Sequence, residues 1–308
     1  MQIFWSLEDL HLQDVWLTIG SFDGVHRGHQ AIVRRLTAGA KAASAPAVVL
    51  TFHPHPAVVL RDRHGPYYLT SPQERAELLG ELGVDVVVIH PFNHEVANLT
   101  AREFVSRLHT HLGLKRLVVG HDFALGHNRE GDLPTLERLG GEFGYQLEVI
   151  GPISFSDQEV SSSQIRSALL QGDVEQAAVL LGRAFEVSGL VVHGDGRGKQ
   201  IGIPTANLDV WPERLLPKSG VYACLARVGG REVQAVTNVG VRPTFTAAPA
   251  PLVETHLLDY EANLYQEEIS LSFIARLRDE QRFSGVPALV AQIQKDIHCA
   301  REILGARA

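Results

Sequence analysis

Val15-Trp16-Leu17-Thr18-Ile19-Gly20-Ser21-Phe22-Asp23-Gly24-Val25-His26-Arg27-Gly28-His29 runs from an apolar, strand-like pattern into a glycine-rich turn with two histidines three residues apart. A tight turn between a strand and a helix presents backbone N–H groups and the positive end of the helix dipole to an anion. Imidazoles placed there can hydrogen-bond phosphate oxygens and stabilise charge that develops during displacement at phosphorus. Gly24 and Gly28 would let phosphates approach the backbone. A His-x-x-His pair alone also describes an ordinary turn with two exposed histidines. Here the spacing, the glycines and the preceding strand agree on an anion site.

Outward from that stretch the alternation repeats. Strand-like runs at 15–20, 47–52, 84–89, 114–120 and 146–150 are separated by helical patterns at 30–43, 72–82, 101–112 and 133–143. Ser71-Pro72 and Thr100 supply helix starts. Such alternation predicts an α/β fold, a doubly wound parallel sheet with helices on both faces. Ligands in these sheets sit at the carboxyl ends of strands, where the histidine turn falls. Helical patterns at 161–171 and 174–181 follow, and then the pattern changes. Runs at 185–192, 220–228, 233–239, 254–258 and 269–275, separated by Gly, Pro and Asn turns, read as a small antiparallel β-barrel. A C-terminal amphipathic helix over 287–304 ends the chain. The domain boundary is expected at 182/183, giving domains 1–182 and 183–308.

The chain has 308 residues, 45% apolar and 20% charged, enough for two globular domains. A net charge of −7 disfavours non-specific nucleic-acid binding, which relies on Lys and Arg neutralising phosphates. It says nothing against nucleotides, which local sites hold. Cys224 and Cys299 are too few for a disulfide framework or a cysteine metal site, and each is expected to be a buried or partly buried hydrophobe. The N-terminus lacks the pattern of a signal peptide, and no run approaches the ~20 apolar residues that span a bilayer. The expectation is a cytoplasmic protein with small-molecule partners, no nucleic acid and no membrane; nothing indicates oligomerisation.

A second stretch, Gly194-Asp195-Gly196-Arg197-Gly198-Lys199-Gln200-Ile201-Gly202-Ile203-Pro204-Thr205-Ala206-Asn207, also suits a nucleotide. Thr205 and Asn207, two apart on an extended segment, point the same way. Their hydroxyl and amide oxygens are hard ligands suited to Mg²⁺ that also takes phosphate oxygens. Gly194, Gly196, Gly198 and Gly202 form a flap able to cover phosphates, although such a run alone equally describes a surface turn. It is neither a Walker loop nor a dinucleotide fingerprint. Glu254 stands in an apolar strand, where an unpaired carboxylate is costly. It reads as a functional carboxylate or as a structural ion-pair partner.

The first stretch resembles the signature of the nucleotidylyltransferase superfamily, and in its long form, Gly-x-Phe-Asp-Gly-x-His-x-Gly-His, the FMN adenylyltransferase branch. Three further segments resemble that branch: Thr51-Phe52-His53-Pro54-His55-Pro56, Val119 to Gly126 with Gly131-Asp132, and Val160-Ser161-Ser162-Ser163-Gln164-Ile165-Arg166. The resemblance implies catalytic roles for His26, His29 and Arg166. It implies nucleotide contacts for Gly20, Phe22, Asp23, Gly24, Ser162 and Ser163, and flavin contacts for Asp122 and Phe123. Leu125 stands where the family usually has Phe.

The second stretch resembles the riboflavin kinase signature ending in Gly-x-Pro-Thr-Ala-Asn. The likeness continues through Gly220-Val221-Tyr222-Ala223, Asn238 to Phe245, Val253 to Asp259, Leu277-Arg278 and Phe283. That family has a small Greek-key barrel. The resemblance implies nucleotide binding at Gly194, Gly196, Gly198, Gly202 and Pro204, Mg²⁺ on Thr205 and Asn207, a catalytic base at Glu254, and flavin contact by Arg278. Departures are Lys199 for Arg, Ile203 for an aromatic and Gln266 for Gly. Together the motifs resemble the bacterial bifunctional riboflavin kinase/FMN adenylyltransferase family. The implied chemistry is riboflavin plus ATP to FMN in the barrel, and FMN plus ATP to FAD and pyrophosphate in the α/β domain. Two alternatives stand beside it: a flavin or nucleotide sensor without turnover, and an adenylyltransferase for another mononucleotide with a structural barrel. The intact His26, His29, Arg166 and Glu254 weigh against the first, and the intact Pro-Thr-Ala-Asn and Val-Glu elements against the second.

Overall fold

All five residues of Val15–Ile19 are buried, as expected of a strand covered by helices on both faces. In the computed structural model, which describes residues 1–306 apart from 64, 153, 156, 157, 195, 197, 199, 200 and 243–249, this run is the second strand of the chain. Two compact units form, Met1–Ser162 and Ser163–Ala308.

In the first unit the elements are β1 (Gln2–Phe4), β2 (Val15–Ile19), α1 (Arg27–Ala42), β3 (Ala47–His53), α2 (Pro56–Leu60), α3 (Pro72–Glu81), β4 (Val86–Pro91), α4 (His94–Ala97), α5 (Ala101–Leu112), β5 (Leu114–Gly120), α6 (Leu133–Phe143) and β6 (Gln146–Ile150), followed by a short hairpin of β7 (Ser154–Phe155) and β8 (Gln158–Glu159). The large sheet has the order β1-β4-β3-β2-β5-β6, parallel throughout. Successive side chains alternate between its two cores. Leu17, Val48, Leu50 and Val119 pack with Phe104, Leu108 and Leu136 from α5 and α6. Trp16, Val49, Val87 and Val118 pack with Val33, Leu36 and Leu79 from α1 and α3. The chain winds from β2 through β3 to β4, then crosses to β5 on the other side of β2. That reversal makes the carboxyl ends of β2 and β5 the switch-point crevice, the usual ligand site of such sheets.

The helix starts read from sequence hold in detail. Ser71 and Glu74 form a reciprocal capping box on α3, as do Thr100 and Glu103 on α5. Helix α1 begins earlier than the periodicity indicates, because the His26 side chain is its cap. The strand expected at 84–89 starts two residues later, after a turn with Gly83 at φ +87°. The edge strand β1 and the short helices α2 and α4 lacked a periodic signal.

The second unit opens with α7 (Ser162–Gln171, its first residue in the first unit) and α8 (Val174–Leu181). A closed antiparallel barrel follows, built from β9 (Phe185–Val192), β10 (Ala206–Val210), β11 (Gly220–Val228), β12 (Arg231–Arg242), β13 (Ala250–Leu257) and β14 (Glu268–Arg278), in the order β10-β13-β12-β11-β14-β9. The final helix α9 (Val286–Gly305) lays Ile297, Ala300 and Leu304 over Val221, Ala223, Val236 and Ile274. This explains why the two cysteines differ. Cys224 is fully buried in β11, whereas Cys299 lies off the 297/300/304 stripe and is exposed, contrary to the expectation for it. Gln266 adopts φ +68°, the left-handed conformation for which glycine is the easy choice.

Two candidate active sites

In the first unit the turn after β2 is compact and strained. Phe22 and Val25, both almost fully buried, sit at φ +46° and +41°, an outlier for a β-branched residue. The His26 ring accepts a hydrogen bond from the His29 backbone N–H at Nδ1 (3.4 Å). In the neutral ring this leaves the proton on Nε2 as a donor. The His29 ring stacks on His26 with centroids 3.6 Å apart and meets Phe22 edge-on at 5.0 Å. A Cβ on Gly28 would come within 3.1 Å of the His26 ring, so glycine leaves that ring its place. Both imidazoles therefore stand together at the amino end of α1, where the helix dipole favours an anion.

Asp23 is fully buried and faces inward. Its carboxylate accepts from the backbone N–H of Leu69 (3.0 and 3.1 Å) and Thr70 (3.1 Å) and from the Thr70 hydroxyl (3.2 Å). The Gly24 N–H donates to the same hydroxyl at 3.1 Å, and the Gly20 N–H donates to the Leu50 carbonyl at 3.1 Å. The carboxylate is thus part of the loop's foundation, and what Asp23 can offer a ligand is its backbone. The loop after β5 carries the exposed Asp122 and the partly buried Phe123, whose N–H closes a turn onto Gly120. It flanks the switch point opposite the loop after β2. The Ser162 hydroxyl donates to the Asp23 carbonyl at 2.9 Å. Ser163 and Arg166 continue along α7 in the second unit, exposed and half-buried respectively. Leu125, at the departure from the family pattern, is buried and bridges to Gly131.

On the barrel, residues far apart in sequence share one row. Asn207 of β10 is the direct partner of Glu254 on β13, which is the direct partner of Asn238 on β12. Val221 pairs with Asn238 and, on its other side, with Arg278. Direct partners on one face hold their Cβ atoms about 4.5–5.5 Å apart, so Glu254 lies between two amides. Asn207 is 7% exposed. A Cβ on Gly194 would lie 2.2 Å from the Asn207 amide nitrogen and 2.9 Å from its oxygen, and one on Gly198 would lie 3.1 Å from the Thr205 hydroxyl. Gly194 and Gly198 thus lie against the Asn207 and Thr205 side chains with no room for a side chain of their own. The Pro204 carbonyl meets His256 Nδ1 at 2.7 Å, which ties this approach to β13. Gly196 and Gly202 have positive φ of 68° and 75°, and Ile203 is buried.

Arg278 is held by Asp296 of α9 through three hydrogen bonds of 2.6–3.0 Å, and its guanidinium lies 5.9 Å from the Phe283 ring centroid. Lys199, and Pro243, Thr244 and Phe245 of the quoted motif, lie outside the described residues. Three contributors had not been assigned roles. Asn238 stood in a quoted motif, whereas Thr70 and Arg75 gave only the signal of polar residues at buried positions.

A parallel sheet with a histidine turn at its switch point, followed by a closed barrel in which a glycine-covered Asn207 pairs with Glu254, is the architecture of a two-domain transferase. The family model for FAD synthetase matches residues 9–164, and that for riboflavin kinase matches residues 181–304. The bifunctional riboflavin kinase/FMN adenylyltransferase of Pseudomonas fluorescens is 39% identical over 287 residues, covering 93% of this chain and 92% of that one. The enzyme of the same name from Escherichia coli K12 is 39% identical over 291 residues (94% and 92%), and that from Bacillus subtilis 36% over 284 (91% and 89%). The chain belongs to the bifunctional riboflavin kinase/FMN adenylyltransferase family. A crystal structure described as a macrolide-efflux protein from Streptococcus pneumoniae shares the fold, with a TM-score of 0.88 and 30% identity, covering 97% of this chain and 98% of that one. Among the described residues no helix here is long and apolar enough to cross a membrane.

Proposed function

We propose that the histidine loop of the first unit adenylylates FMN to FAD and that the Asn207–Glu254–Asn238 row of the barrel phosphorylates riboflavin to FMN, each with ATP. The observation that carries the reading is the pairing of Glu254 with Asn207 beside Gly194. It supports reading Glu254 as a proton acceptor beside an oxygen ligand, where phosphates have backbone to approach. Glu254 takes the proton of the riboflavin 5′-hydroxyl as that oxygen attacks the terminal phosphorus of ATP, and ADP leaves. Thr205 and Asn207 would hold Mg²⁺, for which their neutral oxygens are suitable ligands. When bound, the ion offsets phosphate charge. Gly194, Gly196, Gly198, Gly202 and Pro204 surround the nucleotide, and Arg278, braced by Asp296, presents a fixed cation to the flavin.

In the first unit His26 and His29 stabilise charge on the α-phosphate as the FMN phosphate oxygen attacks it and pyrophosphate leaves. Arg166, Ser162 and Ser163 hold the departing phosphates. Gly20, Phe22, Asp23 and Gly24 shape the nucleotide pocket, and Asp122 and Phe123 meet the flavin. The functional boundary is drawn at 182/183, which assigns α7 and α8 to adenylyl transfer. A cytoplasmic location suits this ATP-dependent pair of reactions on small molecules. The test is a time course with riboflavin, ATP and Mg²⁺, separating the flavins. FMN should rise first and FAD follow; binding without product would make the protein a sensor.

A further inference from the structure

Beneath the histidine loop lies a buried charge pair, one member of which, Asp23, belongs to that loop. Arg75, on α3, and Asp23 are both completely buried, with Nη2 and Oδ1 3.9 Å apart. Arg75 Nη1 donates to the Thr51 hydroxyl (3.0 Å) and to the Phe52 carbonyl (3.2 Å) at the end of β3. The Thr51 hydroxyl in turn donates to the Ser21 carbonyl at 2.9 Å. Asp23 clasps Leu69 and Thr70, and Thr70 clasps Gly24. One guanidinium therefore joins a helix, the end of a strand and two points of the catalytic loop.

A buried ion pair is weak evidence for stability, since well-packed apolar residues often serve as well or better. Its value here is specification. The loop holds Phe22 and Val25 at positive φ, conformations that persist only where the surroundings over-determine them. We propose that Arg75 and Asp23 are positioning residues for adenylyl transfer: they lock the histidine loop in the geometry that aims His26 and His29. This rests on the reading that those histidines carry the reaction.

The experiment compares full-length Arg75→Met, Asp23→Asn/Arg75→Met, Arg75→Lys and His29→Ala. It measures melting temperature, kcat and KM for FMN adenylylation, and riboflavin phosphorylation. Arg75→Met leaves a buried carboxylate without its counter-charge and should lower the melting temperature by roughly 10 °C. The double variant removes both charges and should recover most of that fall. Its adenylylation kcat should nonetheless stay ~10²-fold down, as displacement of reacting groups by about 1 Å can cost that much. KM for FMN should change far less, and phosphorylation should be normal. Arg75→Lys keeps the charge but lacks the fork that meets Thr51 and Phe52 together, so it should also lose adenylylation kcat while melting near the wild type. A double variant that melts and adenylylates like the wild type overturns the proposal, leaving the pair as a stability element. If the double variant melts below the assay temperature, Arg75→Lys decides alone, and wild-type kcat there overturns it. Full adenylylation by His29→Ala is a separate failure, that of the loop reading itself.

Discussion

Glu254 has an amide as its direct partner on each neighbouring strand, Asn207 on one side and Asn238 on the other. Neither amide carries a charge, and both lie on the row that places Glu254 beside Asn207. Glu254→Gln keeps the shape and removes the base. Riboflavin phosphorylation should fall by ~10²–10⁴-fold in kcat, with riboflavin affinity little changed because the lost interaction belongs to the transition state. Steady-state kinetics with binding by flavin fluorescence reads both, and a folded variant with normal kcat would make Glu254 structural. His26, His29 and Glu254 stood out as candidates because their signal is local: a polar group where the pattern calls for turn or strand. Asn238, Thr70 and Arg75 acquire meaning only from partners 16 (Glu254), 47 (Asp23) and 24 (Thr51) positions away, which no local pattern encodes.

At the scale of elements, Gly194 lies against Asn207 of β10. Gly194→Ala forces a methyl into the Asn207 amide, so the flap must lift or the side chain must turn away. Phosphorylation should weaken sharply and demand more Mg²⁺, with adenylylation of supplied FMN unchanged; a Mg²⁺ titration of both activities checks this, and an unaltered kinase would remove Asn207 from the ligand set. A different element interaction contributes to acid sensitivity. His90 on β4 is almost fully buried and accepts from the Leu7 N–H at Nδ1 (3.2 Å), which requires that nitrogen unprotonated. Burial pushes its pKa below the ordinary 6.5, outweighing Glu8, with Arg107 and His111 acting in the same direction as burial. The unfolded chain binds this proton more readily, so the stability is present above pH 6.5 and lost as pH falls through the lowered folded value. The loss, at most about 1.4 kcal/mol per pH unit, falls between pH 6.5 and that value and does not grow further below it. His90→Asn keeps an acceptor that does not titrate, and its melting temperature between pH 7.5 and 5 should fall less steeply than the wild type's. Parallel slopes would show that His90 does not titrate on unfolding. The long elements were legible from periodicity and caps. Strand β10 was not, because five residues after a glycine-rich run give too short a pattern, and pairing with β9 and β13 defines it.

In the whole molecule, the two proposed chemistries reside in two separate groups of residues. The parallel alternation of the first part and the all-β pattern of the second made this division legible, as each pattern fixes its own kind of core. The closure of the barrel was less so, since it depends on β9 pairing with both β10 and β14. A complementation assay tests the division most directly. Glu254→Gln and His29→Ala proteins are each given riboflavin, ATP and Mg²⁺, alone and mixed. Each variant alone should yield little FAD, the first stopping at riboflavin and the second at FMN, while the mixture should convert riboflavin through FMN to FAD. A mixture that makes no FAD, or one variant that loses both activities while still folded, would contradict the account.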